Sequence, residues 1–133
     1  HWDYGKAVAY VRSWNGPERS VLLGMFRRDS LRHLGNLLLH LEPVHHRVEL
    51  SFMVWDKRCW NSGYATEAVQ AVTDMCFQAL GAEKVTAGYY APHQASARVL
   101  NKAGFEIEAV LRAHCVSEGQ RVDGVLVAKW RTP

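Results

Sequence analysis

Apolar residues along this chain switch between two spacings, and the switches mark its elements. Between Tyr4 and Trp14, the positions Ala7, Val8, Val11 and Trp14 share one helical stripe, which Asn15-Gly16-Pro17 brings to a stop. Val21–Arg27 and Leu34–Leu41 read as strands joined by a polar turn at Asp29-Ser30. Glu42-Pro43-Val44-His45-His46 reads as a loop, and Val48–Val54 as the next strand. Leu37-Leu38-Leu39 shows no polar alternation, which is expected of a sheet covered on both faces. From Ala65 the spacing turns helical: Ala65, Ala68, Val69, Val72, Cys76 and Leu80 fall on one face, and Gly81 supplies the stop. Lys84–Tyr90 is a strand, and a short helix around Ser96 ends at Gly104. Ile107–Val116 and Arg121–Trp130 then form a hairpin through Ser117-Glu118-Gly119-Gln120. The order helix, three antiparallel strands, helix, strand, helix, hairpin predicts a mixed α/β sheet with helices on its faces.

Composition narrows the class without naming a function. A chain of 133 residues holds one core, so residues 1–133 are read as a single domain. Its 48% hydrophobic and 22% charged content is that of a globular protein. No apolar run approaches the roughly 20 residues that span a bilayer, so no membrane partner is expected. No secretory pattern opens the chain, and the cytoplasm is the default compartment. The charge of +3 is mild and the basic residues are scattered, as in the pairs Arg27-Arg28 and Lys57-Arg58. A nucleic-acid partner wants a clustered basic stripe with interleaved aromatics, and none is expected here. Cys59, Cys76 and Cys115 lack metal-ligand spacing and read as reduced packing thiols. The histidines form no helical pair with a glutamate, so no metal is expected.

Chemistry enters at Trp60-Asn61-Ser62-Gly63-Tyr64-Ala65-Thr66-Glu67-Ala68, between the Leu50–Val54 run and the long helix. Gly63 and Ala65 keep the first turn bare, so a ligand can approach its backbone. Unbonded N–H groups there, with the positive end of the helix dipole, suit a pyrophosphate. A lone glycine before a helix is commonly only a turn. The Walker A loop and the three-glycine dinucleotide fingerprint are both absent. A second stretch, Ala95-Ser96-Ala97-Arg98-Val99-Leu100-Asn101-Lys102-Ala103-Gly104-Phe105, supplies another short helix with a glycine stop. Glu49 stands in the strand that leads to the turn; it is either a base for an acceptor amine or a strand-edge glutamate paired with Arg47 or with a neighbouring strand.

These stretches resemble the two cofactor motifs of the GNAT superfamily of acyl-CoA N-acyltransferases, and the likeness runs along essentially the whole chain. Within it, the chain is most similar to the branch of ribosomal-protein N-terminal acetyltransferases. The pyrophosphate motif falls on Trp60 to Ala65, and the second motif on His93, Ser96 and Leu100 to Phe105. The resemblance implies a mostly antiparallel α/β sheet with helices on both faces, binding acetyl-CoA and transferring acetyl to a primary amine. That acceptor is a protein N-terminus or a small-molecule amine, attacking directly in a ternary complex. It implies that Phe52, Met53, Val54 and Trp55 pair with the pantetheine arm. Asn61 to Thr66, thus Asn61, Ser62, Gly63, Tyr64, Ala65 and Thr66, would cradle the pyrophosphate. Arg58, Arg98 and Lys102 would meet CoA phosphates, and Glu49 would act as the base.

The chain departs from the family pattern at three places. Trp60 replaces Gln or Arg, His93 replaces Asn, and Leu100 stands where many relatives carry a tyrosine acting as general acid. Tyr89, Tyr90, His93, Ser96 and His114 are the candidates to replace that acid. These departures keep open an alternative, a CoA-binding regulatory or assembly module without catalysis. The resemblance also implies a strand and helix ahead of Trp2 that this sequence lacks. Their absence would expose the Val21–Arg27 edge and favour a homodimer.

Overall fold

The computed structural model describes residues 19–55 and 63–133. The predicted Tyr4–Trp14 helix, and with it Arg58, Cys59, Trp60, Asn61 and Ser62, lies outside the described residues. The elements are β1 (Ser20–Phe26), β2 (His33–Glu42), a 3-10 turn (Pro43–His45), β3 (Arg47–Val54), α1 (Tyr64–Ala79), β4 (Lys84–Tyr90), α2 (Gln94–Lys102), β5 (Glu106–Ser117) and β6 (Gln120–Trp130). They form a mixed α/β sheet in the order β1-β2-β3-β4-β6-β5. Every neighbouring pair is antiparallel except β3 and β4. The exception follows from α1, which carries the chain back to the start of the sheet before β4 begins.

The parallel pairing is short. It runs from Arg47 opposite Lys84 to Leu50 opposite Ala87 and stops. Beyond Leu50, β3 stays with β2, setting Phe52 opposite Leu37 and Met53 opposite Asn36. Over the same stretch β4 stays with β6, setting Gly88 opposite Leu126 and Tyr89 opposite Val125. The two strands therefore part, and the sheet opens at its centre. Gly35 holds β2 close to the parting end of β3, because a Cβ there would collide with the Met53 carbonyl oxygen.

Strand parity decides the core. Val21, Leu37, Leu39, Leu50, Val85 and Val127 fill one face of the sheet, each at most 3% exposed. Val69, Val72, Met75 and Cys76 of α1 complete that core, with Leu100, Ala103 and Phe105 from α2 and the residues after it. Each leucine so buried stabilises the fold by roughly 1.5–3 kcal/mol. Leu38 is where the leucine run misleads: it is 42% exposed, across from Leu22 at 63%. Alternation points it away from Leu37 and Leu39, and an all-leucine run hides that alternation.

Two local features lead to measurable expectations. Around the 3-10 turn, Arg47 pairs with Glu42 across the register and holds its carboxyl below the usual carboxylate range. The folded carboxylate therefore gives up its proton more readily than the unfolded one. The pair stabilises the fold above the ordinary carboxylate range, and that gain disappears as pH falls through the folded value. Both partners are partly exposed, so Glu42→Gln should cost roughly 0.2–1 kcal/mol at neutral pH. Urea titrations should show the difference shrinking as pH falls below the ordinary carboxylate range and vanishing once the folded carboxyl is also protonated. On α1, Thr73 is fully buried, and its hydroxyl has no hydrogen-bond partner among the described residues. Thr73→Val keeps the shape and removes the orphan, so it should raise stability by about 1–2 kcal/mol in a thermal melt.

Candidate active site

The opening between β3 and β4 leads into a cleft of about 450 Å³ bounded by three elements. Phe52, Met53 and Val54 supply the strand side, Gly63, Ala65 and Thr66 the start of α1, and His93, Ser96 and Lys102 the α2 side. Both helix starts turn toward the cleft, and among the described residues no side chain caps either one by a hydrogen bond to its backbone. Each brings the positive end of a helix dipole, although the Gln94 N–H at the start of α2 is donated to the Pro92 carbonyl at 2.9 Å. Such a cleft attracts a negatively charged ligand.

Gly63 makes the entry to α1 possible. It is the residue before the first helical turn and lies in the left-handed region at φ 87°. A side chain there costs roughly 1–2 kcal/mol of backbone strain. A Cβ at this position would meet nothing within 4 Å, so the turn is bare on its outer side. On α2, His93 precedes the helix, and its Nδ1 lies 2.8 Å from the Ser96 hydroxyl. Two of the predicted cofactor residues are thereby locked together at the cleft wall. Gln70 donates its side-chain amide to the Lys102 carbonyl at 3.4 Å and ties α1 to α2 beside the cleft.

Other predicted residues sit elsewhere. Trp55 follows β3; its N–H is donated to the Leu34 carbonyl at 3.2 Å, on the β2 side, and its ring meets His33 edge-on at 4.5 Å. Tyr64 borders a second groove instead of the cleft, with the Arg27 guanidinium over its ring at 5.8 Å. Glu49 does not line the cleft. It stands exposed within the parallel seam, one residue before the strands part, opposite His40 on β2 and Thr86 on β4. Arg47 pairs with Glu42, not with Glu49. Leu100 is buried in the core, while its neighbour Val99 lines the cleft. Tyr89 and Tyr90 end β4 past the parting point, and His114 lies in the irregular stretch of β5 near Gly124, whose register partner is Leu111.

Sequence reasoning passed over Glu67 and Gln70, which also line the cleft beside Arg98. The signal was present: Gly63, Thr66, Glu67 and Gln70 recur at helical spacing on one side of α1, next to its apolar stripe. Among the described residues, no thiol is placed for catalysis. Cys76 is buried in α1, and burial pushes its thiol up to about 12. Cys115 lies on β5, away from the cleft lining. No group of three or more metal-ligating side chains occurs among the described residues, and none of the helices there is long and apolar enough to cross a membrane.

The sequence profile of the acetyltransferase (GNAT) domain matches residues 1–106. The chain belongs to the GNAT acetyltransferase family. The N-acetyltransferase YoaA of Bacillus subtilis (strain 168) is 32% identical over 107 residues, covering 80% of this chain and 60% of YoaA. The chain thus spans about 60% of the length of that relative. A GNAT-family acetyltransferase of Bacillus anthracis superposes with a TM-score of 0.74 at 21% identity, covering 82% of this chain and 65% of that one. RimJ of Mycobacterium smegmatis, solved in complex with CoA-disulfide, superposes with a TM-score of 0.67 at 25% identity. That match covers 74% of this chain and 48% of RimJ. The opened sheet is therefore the GNAT fold, and GNAT acetyltransferases use acetyl-CoA.

Proposed function

We propose that this chain is a single GNAT domain that binds acetyl-CoA in the cleft and transfers its acetyl group to a primary amine. The observation that carries the reading is the cleft itself: one parted strand and two uncapped helix starts converge on one space. Its donors fit the cofactor. Backbone amides of the first α1 turn, with Gly63 leaving the approach bare, suit a pyrophosphate. The side of β3 that has left β4, at Phe52 and Met53, offers main-chain groups to an extended amide-bearing arm. Val54 closes that side, and Lys102, with Arg98 nearby, supplies positive charge. Trp60, Asn61 and Ser62 join this set from the motif. When bound, acetyl-CoA supplies an activated thioester.

Glu49 is the proposed base. An acceptor amine is mostly protonated near neutral pH and attacks only after losing a proton to a carboxylate, directly or through water. Glu49 stands on the seam at the point where the sheet opens, so an acceptor arriving there is next to the cleft. A direct attack in a ternary complex fits the placement of Cys76 and Cys115, neither of which offers an activated thiol at the cleft. The proposed acceptor is a protein N-terminus or a small-molecule amine, in the cytoplasm. Among the described residues β1, Ser20–Phe26, stands at the edge of the sheet, which supports the proposed homodimer. Release of CoA from acetyl-CoA, assayed across peptides with unblocked N-termini, polyamines and aminosugars, tests the function. Release that requires an amine is expected; CoA binding without release for any amine would leave only the non-catalytic module.

A further inference from the structure

One polar row crosses the open face of the sheet. Ser20 on β1 is opposite His40 on β2, His40 is opposite Glu49 on β3, and Glu49 is opposite Thr86 on β4. Directly opposite residues of neighbouring antiparallel strands stand about 5 Å apart at Cβ, so the imidazole and the carboxylate are side-by-side neighbours. The ring is not loose: its Nδ1 lies 3.2 Å from the Ser20 hydroxyl. That contact occupies the nitrogen on the β1 side. Either ring nitrogen can carry a second proton, and the imidazolium is attracted to a carboxylate beside it.

We infer that His40, held by Ser20, is a positioning residue that gates Glu49 by its own protonation. This rests on Glu49 being the base. With the imidazole neutral, the Glu49 carboxylate is available to take a proton from the acceptor ammonium. With the imidazole protonated, the two side chains form an ion pair. The carboxylate is drawn toward β2 and becomes a weaker base, and an incoming ammonium meets a like charge. The other charged groups facing His40 do not reproduce the effect. Arg47, paired with Glu42, also acts on Glu49, and His40 also acts on Glu42. The carboxyl of Glu42 is held below and the guanidinium of Arg47 above its ordinary range, so both keep their charges while the imidazole changes its own. Lys84, one row further on β4, is engaged with Glu108 at 2.8 Å. Ser20 on β1 carries no charge.

The test is the pH profile of kcat/KM for His40→Gln, Ser20→Ala and Glu49→Gln against wild type. Gln keeps a polar side chain but cannot become a cation, so it removes the inhibitory form. The ratio of His40→Gln to wild type should climb as pH falls, by roughly tenfold between about pH 8 and the acid end of the profile. Ser20→Ala should blunt the wild-type acid response without abolishing it, because it releases the ring and leaves its charge. A His40→Gln variant slower than wild type by the same factor at every pH would overturn the inference, since lost packing does not depend on proton concentration. A Glu49→Gln enzyme of undiminished activity would instead remove the base itself. The two failures are therefore distinguishable.

Discussion

Replacing Glu49 by Gln is expected to lower turnover by roughly 10²–10⁴-fold, the usual cost of losing a general base. That corresponds to about 3–5 kcal/mol of barrier. Affinity for CoA should change little, because Glu49 lies on the seam and not among the residues lining the cleft. The deficit should narrow as pH rises, since more of the acceptor amine is then already neutral. Initial rates with a saturating amine, measured from pH 6.5 to 9.5, distinguish this from a binding defect. A Glu49→Gln enzyme with wild-type turnover across that range would move the base to another residue or to bulk water.

A second large effect is expected at Gly63. Acetyl-CoA or CoA at about 100 times its dissociation constant should stabilise the wild-type protein by roughly 2.7 kcal/mol, seen as a rise in melting temperature. Gly63→Val should lose that rise. It should also cost about 1–2 kcal/mol without ligand, because a side chain is strained at φ 87° even though it meets no neighbour. Gly63→Asn separates the two effects. Asparagine tolerates the left-handed region, so the variant should melt near wild type without ligand, yet its side chain fills the bare turn and should weaken the CoA response. If wild-type protein shows neither a thermal shift nor calorimetric heat with millimolar CoA, the cleft does not hold the cofactor.

Much of this architecture is legible in the chain because it is locally encoded. The alternation in Val48–Val54 and the helical stripe from Ala68 to Cys76 report which side faces the core, and the structure sets those elements within a residue or two of their expected ends. The Gly81 stop and the Ser117–Gln120 turn are equally local. Pairing between distant strands is not. Nothing in Lys84–Tyr90 by itself says that it runs parallel to β3, or that it leaves β3 after Ala87. The exposure of Leu38 was hidden for a different reason: three leucines in a row carry no polar marker of parity. At the site, the motif residues Gly63, Ala65, Thr66, His93 and Ser96 converge on one cleft. Tyr64 and Trp55, adjacent in sequence to lining residues, point elsewhere, since neighbours on a helix or strand occupy different faces. Glu67 and Gln70 belong to the helix's polar side, which sequence patterns assign by default to solvent.

The short seam makes the sheet a book of two leaves, β1-β2-β3 and β4-β6-β5, joined by a spine only four residue pairs long. Such a spine is short beside the long hairpins inside each leaf, and the two leaves are otherwise joined through the core that α1 covers. A ligand lodged between Phe52 on one leaf and Ser96, carried by α2 next to the other, extends that spine beyond Leu50. In the proposed complex the molecule that brings the acetyl group therefore also ties the two leaves together, and its departure as CoA undoes that tie.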